Sequence, residues 1–307
     1  APCSGWGYNW GGCPPWDSAL FFIPESVLAF TGDDSVARRL YPKMLRNVDY
    51  VESILDASGV PTVGIGDWLA PVAPGKELYQ WPWREMSAAF RVGNVMCAER
   101  LARRFGFADD ALRFERVRRR AVMDFQRNFC DAAGLPVFET STLHALALAF
   151  DLVRPECRSA CAGKMSELLR VRNHRVDFGI IGVGFVIRML FENGYVDDAY
   201  RVMTQPEKPG FVYLSDTLNL TAMPERWDID ERPDCHESSF NHAYMAEYLA
   251  CIYRYLAGFR HDRERPGVNY LEIRPSIPKE LDWFKAKYLG FCVEWARDGE
   301  DVRMTVT

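Results

Sequence analysis

Three segments of the sequence set carboxylates against aromatic rings. Gly64-Ile65-Gly66-Asp67-Trp68-Leu69 places an acid beside an indole, after glycines that let the backbone turn tightly. Pro224-Glu225-Arg226-Trp227-Asp228 carries two carboxylates, a guanidinium and an indole side by side, and His236-Glu237-Ser238-Ser239-Phe240-Asn241-His242 follows, reading as the opening of the last helix. The first residues add Trp6, Tyr8, Trp10, Trp16 and Asp17. Such a mixture suits a sugar, whose apolar C–H face stacks on indole while its edge hydroxyls take charged donors and acceptors. Glycoside hydrolysis needs two carboxyl groups, one to protonate the leaving oxygen and one to activate water or attack. Tryptophan-rich loops can equally pack the top of a helical bundle, and spacing alone does not choose between the two.

Other chemistries fit less well. His236-Glu237 and His242 are not an HExxH metal motif, because the histidines stand six apart and do not share a helix face. Gly179-Ile180-Ile181-Gly182-Val183-Gly184 has its glycines in the wrong order for a dinucleotide loop, and reads instead as close approach at a helix start. His144, among alanines and leucines, reads as a core histidine; His174 and His261 lie in charged turns. Cys157 and Cys161 could share a helical face, but no second pair completes a zinc site. No metal and no organic cofactor is expected.

The elements that must position these residues are mostly helical. Apolar periodicity predicts helices over 18–30, 36–55, 86–105, 110–130, 141–152, 155–170, 180–193, 196–203 and 239–255, with Pro24 bending or restarting the first. Short turns such as Asn193-Gly194 join them, so helical hairpins in series are the simplest arrangement. The Arg116, Arg118, Arg119 and Arg120 cluster reads as a solvated helix face. Two loop segments, 59–84 and 205–234, interrupt the series and hold the acid–indole motifs. After Arg260, alternation at Tyr270–Arg274, at Phe291, Val293 and Trp295, and at Val302, Met304 and Val306 predicts β-strands, the last two joined by an Asp298-Gly299 turn.

Composition narrows the class. The 307 residues are 48% hydrophobic with a net charge of −5, which excludes the basic stripe of a nucleic-acid binder. No apolar run reaches the roughly 18 residues of a membrane span. Nine scattered cysteines read as free packing residues, leaning toward a reducing, cytoplasmic compartment. The chain opens on Ala1 and stops at Val306-Thr307 within a predicted strand, so it reads as a piece of a longer protein.

In their order, these motifs resemble the bacterial α-L-rhamnosidases. The resemblance runs through Pro15-Trp16-Asp17-Ser18-Ala19, Thr31-Gly32-Asp33, Tyr41-Pro42-Lys43-Met44, Gly66-Asp67-Trp68 and Glu192-Asn193-Gly194. It continues at Thr221-Ala222-Met223-Pro224-Glu225-Arg226-Trp227-Asp228, Asn241-His242, Tyr253-Arg254-Tyr255-Leu256-Ala257-Gly258, Pro266-Gly267 and Ile273-Arg274-Pro275. The resemblance implies a mainly α fold: an (α/α)6 barrel over residues 1–262, incomplete at its N-terminus, then the beginning of a C-terminal β-sandwich over 263–307. It implies an inverting glycosidase releasing terminal α-L-rhamnose, a carbohydrate its only expected partner. Glu225 would be the general base, with Trp16, Asp67, Trp68, Trp227, Asp228 and His242 lining the sugar subsite. The family's general acid lies in an upstream Arg-Asp-Glu-Arg-type segment that nothing here matches, so this chain alone is expected to be weakly active or inactive. Another six-hairpin glycosidase or uronyl hydrolase, a catalytically dead sugar-binding relative, and a helical-repeat interaction protein are the competing readings.

Overall fold

The computed structural model describes residues 12–71, 82–231, 238–262 and 264–307. A single turn, α1 (Pro14–Asp17), leads into α2 (Ala19–Thr31) and α3 (Ser35–Ser53). Next come α4 (Trp83–Phe105) with α5 (Ala108–Phe129), α6 (Ser141–Ala149) with α7 (Arg158–Arg170), and α8 (Ile180–Glu192) with α9 (Val196–Met203). The last helical stretch starts at Ala243, continues through α10 (Glu247–Cys251) and ends in a π-turn, Ile252–Leu256.

Each pair packs as a hairpin, α2 on α3, α4 on α5, α6 on α7 and α8 on α9. The first helix of each pair also packs on the first helix of the next, so α2, α4, α6, α8 and α10 form a continuous inner arc. Their sequences fit that place. α4, α6 and α8 are rich in small and apolar residues and are buried around most of their circumference. In contrast α5 buries one stripe, Ala111, Phe114, Ala121, Phe125 and Phe129, as an outer helix should. Its arginines pair at the surface, Arg118 with Glu99 and Arg119 with Glu115. Arg91 of α4 is buried between Glu52 (2.7 Å) and Asp124 (2.9 Å), which ties α3, α4 and α5 together.

Two loops that follow outer helices share one design. Asp56-Ala57-Ser58-Gly59-Val60-Pro61 and Asp131-Ala132-Ala133-Gly134-Leu135-Pro136 each return the chain through a tight turn. In both, the aspartate side chain accepts the amide four residues on, from Val60 (3.0 Å) and from Leu135 (2.9 Å). In both, the glycine sits at positive φ, 80° and 83°, where a side chain would be strained. These turns deliver the chain to the end of the molecule where the inner helices begin.

Several local expectations are corrected. α2 continues through Pro24 rather than restarting there, with Phe21 and Leu28 on either side buried. The final helix opens at Ala243 rather than 239, since the backbone of Ser239 and His242 pairs with Glu225 and Met223. A π-turn, Tyr213–Thr217, lies inside the segment expected to be loop. His174 does lie in a charged turn, and there it is buried, with Nε2 2.8 Å from Asp198.

The β part begins earlier than expected: β1 (Phe259–His261) pairs antiparallel with β2 (Leu271–Ile273). β3 (Trp283–Tyr288), β4 (Phe291–Asp298) and β5 (Asp301–Val306) form a separate antiparallel sheet in sequence order. Trp295 of β4 is fully buried and donates its indole N–H to the Leu256 carbonyl at 2.7 Å, fastening this sheet to the end of the last helix. No helix among the described residues is long and apolar enough to cross a membrane.

Candidate active site

The loops that precede the inner helices meet at one end of the arc, and Glu225 sits among them. Its backbone N–H donates to the Ser239 carbonyl at 2.8 Å, and the His242 N–H donates to Met223 at 2.8 Å, so the two segments run side by side. The carboxylate is held from two directions. Trp68 Nε1–H donates to Oε1 at 3.0 Å, and the Ser239 N–H donates to Oε2 at 3.0 Å. Each oxygen accepts one of these bonds and retains a second acceptor position for a water or a hydroxyl. His242 Nε2 stands 4.0 Å from Oε1, and both side chains keep partial access to solvent.

Aromatic rings complete the surroundings. Trp16, on the α1 turn, lies 6.3 Å from Trp68 centroid to centroid and stacks on Tyr244 at 6.4 Å. Tyr244 in turn lies 5.7 Å from the His242 ring. The α1 turn is pinned by Asn94 of α4, whose side-chain amide donates to the Pro14 carbonyl at 3.0 Å. Trp16 and Tyr244 also line an open cavity of about 570 Å³ bordered by the inner arc, with Phe22, Phe90, Phe150 and Phe185 among its walls. Glu225 and Trp68 lie outside that lining, so the cavity and the carboxylate meet at Trp16 and Tyr244. Tyr244 had no place in the sequence reading, although its position two residues after His242 was a usable signal.

Three other expected contacts, Asp67, Trp227 and Asp228, spend their polar groups on protein partners. Asp67 is only 2% exposed. Its Oδ2 accepts Thr142 Oγ1–H at 2.5 Å and the Gly179 N–H at 2.9 Å, and its Oδ1 accepts the N–H groups of Ile181 at 2.9 Å and Gly182 at 3.1 Å. A carboxylate saturated by four donors caps α8 and presents nothing to a sugar. Burial pushes its pKa up to about 6, while those four bonds pull it down. Trp227 is 3% exposed, edge-on to Phe178 and Phe211, with its indole N–H donating to the Phe178 carbonyl at 3.0 Å. It is a core residue because that ring has no open face. Asp228 binds the buried Arg226 guanidinium through both oxygens, at 2.8 and 3.0 Å. His236 and Glu237, with Trp6, Tyr8 and Trp10, fall outside the described residues.

A second buried aspartate repeats the capping. Asp177 accepts the backbone N–H of Ser141 at 3.0 Å and its hydroxyl, fixing the start of α6, and burial raises its pKa. His144, deeper in α6, is buried with Nδ1 3.0 Å from the Thr140 carbonyl, and burial lowers its pKa toward the neutral ring of a core histidine. Gly179 also behaves as the sequence predicts: a Cβ there would lie 2.2 Å from the Trp68 carbonyl oxygen. Among the described residues, no group of three His, Cys, Asp or Glu side chains is arranged to hold a metal ion.

Comparison with known proteins agrees with this architecture. The family model described as the bacterial alpha-L-rhamnosidase six-hairpin glycosidase domain matches residues 1–256. An alpha-L-rhamnosidase of Alteromonas sp. (strain LOR) is 26% identical over 308 residues, covering 95% of this chain and 33% of its own. The crystal structure of Streptomyces avermitilis alpha-L-rhamnosidase complexed with L-rhamnose superposes with a TM-score of 0.83 at 23% identity, covering 94% of this chain and 28% of that one. The Aspergillus terreus alpha-L-rhamnosidase structure gives 0.84 at 20% identity, covering 95% and 35%. The chain thus spans about a third of the length of these relatives. With the helical hairpins, the inner arc and the family model in agreement, the chain belongs to the bacterial α-L-rhamnosidase six-hairpin glycosidase family.

Proposed function

We propose that the chain is the greater part of the catalytic region of a glycosidase that releases terminal α-L-rhamnose with inversion, and that Glu225 is its general base. The observation that carries this reading is the Glu225 carboxylate itself, held by Trp68 and Ser239 beside the aromatic wall of Trp16 and Tyr244. Glu225 would take the proton of a water attacking the anomeric carbon. An acid on the opposite face of the sugar, about 6.5–9.5 Å from Glu225, would protonate the leaving oxygen. Asp67 and Asp228 do not fit that role, the first enclosed by four donors and the second engaged by Arg226. We assign the acid to the Arg-Asp-Glu-Arg-type segment of the family, which these 307 residues do not contain. Trp16, Trp68, His242 and Tyr244 form the sugar-facing set.

The helical domain is assigned to residues 1–262 and the beginning of the β-sandwich to 263–307, with the pairing of β1 and β2 spanning the junction. A uronyl hydrolase is the weaker reading. The two loop arginines that the motifs offer a uronate are engaged elsewhere, Arg226 by Asp228 and Arg84 by Asp56 at 2.6 Å. The test is turnover of an aryl α-L-rhamnoside by the complete polypeptide, before and after Glu225→Gln. Loss of turnover with retained fold supports the assignment; retained turnover refutes it.

A further inference from the structure

Two loops far apart in sequence grip the same few residues at the start of α8. The Glu225 loop does so through Trp227, whose indole N–H bonds the Phe178 carbonyl. The Trp68 loop does so through Asp67, which collects the N–H groups of Gly179, Ile181 and Gly182, and through the Trp68 carbonyl, which accepts the Ile180 N–H at 3.0 Å. Thr142 of α6 closes the fourth side of Asp67. Leu69, next after Trp68, is buried at a φ of 61°, a left-handed backbone that a β-carbon disfavours and that only a firmly anchored neighbour sustains. Segment 178–182 is therefore the common reference from which both Trp68 and Glu225 are measured out.

We propose that Asp67 is a positioning residue for Glu225: by fastening its own loop to the first turn of α8, it fixes the Trp68 indole where its N–H meets Glu225 Oε1. The inference rests on Glu225 being the general base, but the placement of the indole can be read without turnover. Asp67 touches neither sugar nor reacting atoms. It acts on one side chain through the backbone of the next residue. Trp68 then restricts Glu225 to one rotamer, leaving the carboxylate a fixed direction in which to meet water.

The direct test is the indole N–H resonance of Trp68 in the full chain, identified as the peak lost in Trp68→Phe. Asp67→Asn leaves the Gly179 N–H facing an amide donor, and Thr142→Val removes the hydroxyl donor. Both should move the Trp68 peak toward that of a water-exposed indole, whereas Thr142→Ser, which keeps the hydroxyl, should leave it in place. Ile187→Val, a buried change further along α8, destabilises the same helix and should not move the peak. In the complete, turnover-competent polypeptide, Asp67→Asn should lower kcat tenfold or more, with KM changed much less. A Trp68 peak unmoved in folded Asp67→Asn overturns the proposal even if Glu225→Gln abolishes turnover. Should Asp67→Asn fail to fold, the Thr142 pair decides: a peak unmoved in Thr142→Val overturns it, and one that moves there but not in Thr142→Ser supports it. Turnover retained by Glu225→Gln removes the base assignment and with it the functional meaning of the anchor.

Discussion

Trp68 and Glu225 stand 157 residues apart in the chain, yet the indole N–H of one lies 3.0 Å from the carboxylate of the other. An indole N–H is a donor only, so it can hold the carboxylate without competing for the proton that a base must accept. The geometry therefore separates two tasks on one side chain: Oε1 and Oε2 are each steadied by one neighbour, and each keeps an open acceptor position.

Glu225→Gln in the complete polypeptide should lower kcat for an aryl rhamnoside by about 10²–10⁴-fold, the usual contribution of a general base. The amide can keep its carbonyl oxygen toward Trp68 but then sets its NH2 against the Ser239 N–H, so the urea midpoint should also fall, by about 1 kcal/mol of stability for the lost hydrogen bond. Steady-state kinetics and a denaturation curve on the same preparation check both halves.

Trp227→Ala should act on stability first. The ring is enclosed by Phe178 and Phe211, and its removal leaves both a cavity and an unpaired Phe178 carbonyl. A loss of ~3–5 kcal/mol is expected from truncating a buried aromatic. Urea unfolding followed by circular dichroism measures it.

Asp67 gives the protein a pH dependence of definite sign. Burial raises its folded-state pKa to about 6, above the 3.8 of an ordinary aspartate. Between those limits the native state holds a proton that the unfolded chain has released. Stability from this group is thus full below pH 4 and falls as pH rises to about 6, by on the order of 3 kcal/mol at the conversion of 1.36 kcal/mol per pKa unit. Asp67→Asn, which cannot titrate, should flatten that part of the curve; urea midpoints at pH 4.5 and 7 would show whether the slope disappears.

Gly179, at the N-cap of α8, and Gly184, within the helix, should respond in opposite ways to alanine. At Gly179 the new methyl would meet the Trp68 carbonyl at 2.2 Å and the Ala70 nitrogen at 2.8 Å, both backbone atoms. Overpacking of that kind costs about 1–3 kcal/mol. At Gly184 the nearest atom is Glu247 Cγ at 3.7 Å, so alanine should add about 0.5–1 kcal/mol of helix stability. Thermal melts of the two variants would settle the contrast.

The helical hairpins were legible because periodicity reports burial directly, and the ends of α8 and α9 fell within a residue of expectation. The two segments that bring Trp68 and Glu225 together were legible through motif order. The roles of Asp67 and Trp227 were not, for a physical reason. A carboxylate or an indole beside glycines looks alike whether it faces a ligand or caps a helix, and only the partners contributed by residues 142 and 178–182 distinguish the cases. β3 was missed because its Lys285, Lys287 and Trp283 are exposed, leaving a weak apolar alternation. Tyr244 was missed because it lies in the turn that converts an extended segment into the last helix.

The three amides bound to the buried carboxylate of Asp67 carry a kinetic consequence. An N–H that donates to a side chain in another loop exchanges with solvent only when that loop lets go. Deuterium uptake at Gly179, Ile181 and Gly182 therefore clocks the separation of two loops rather than the fraying of a helix end. Glu225 should keep its fixed direction for as long as those three protons stay protected.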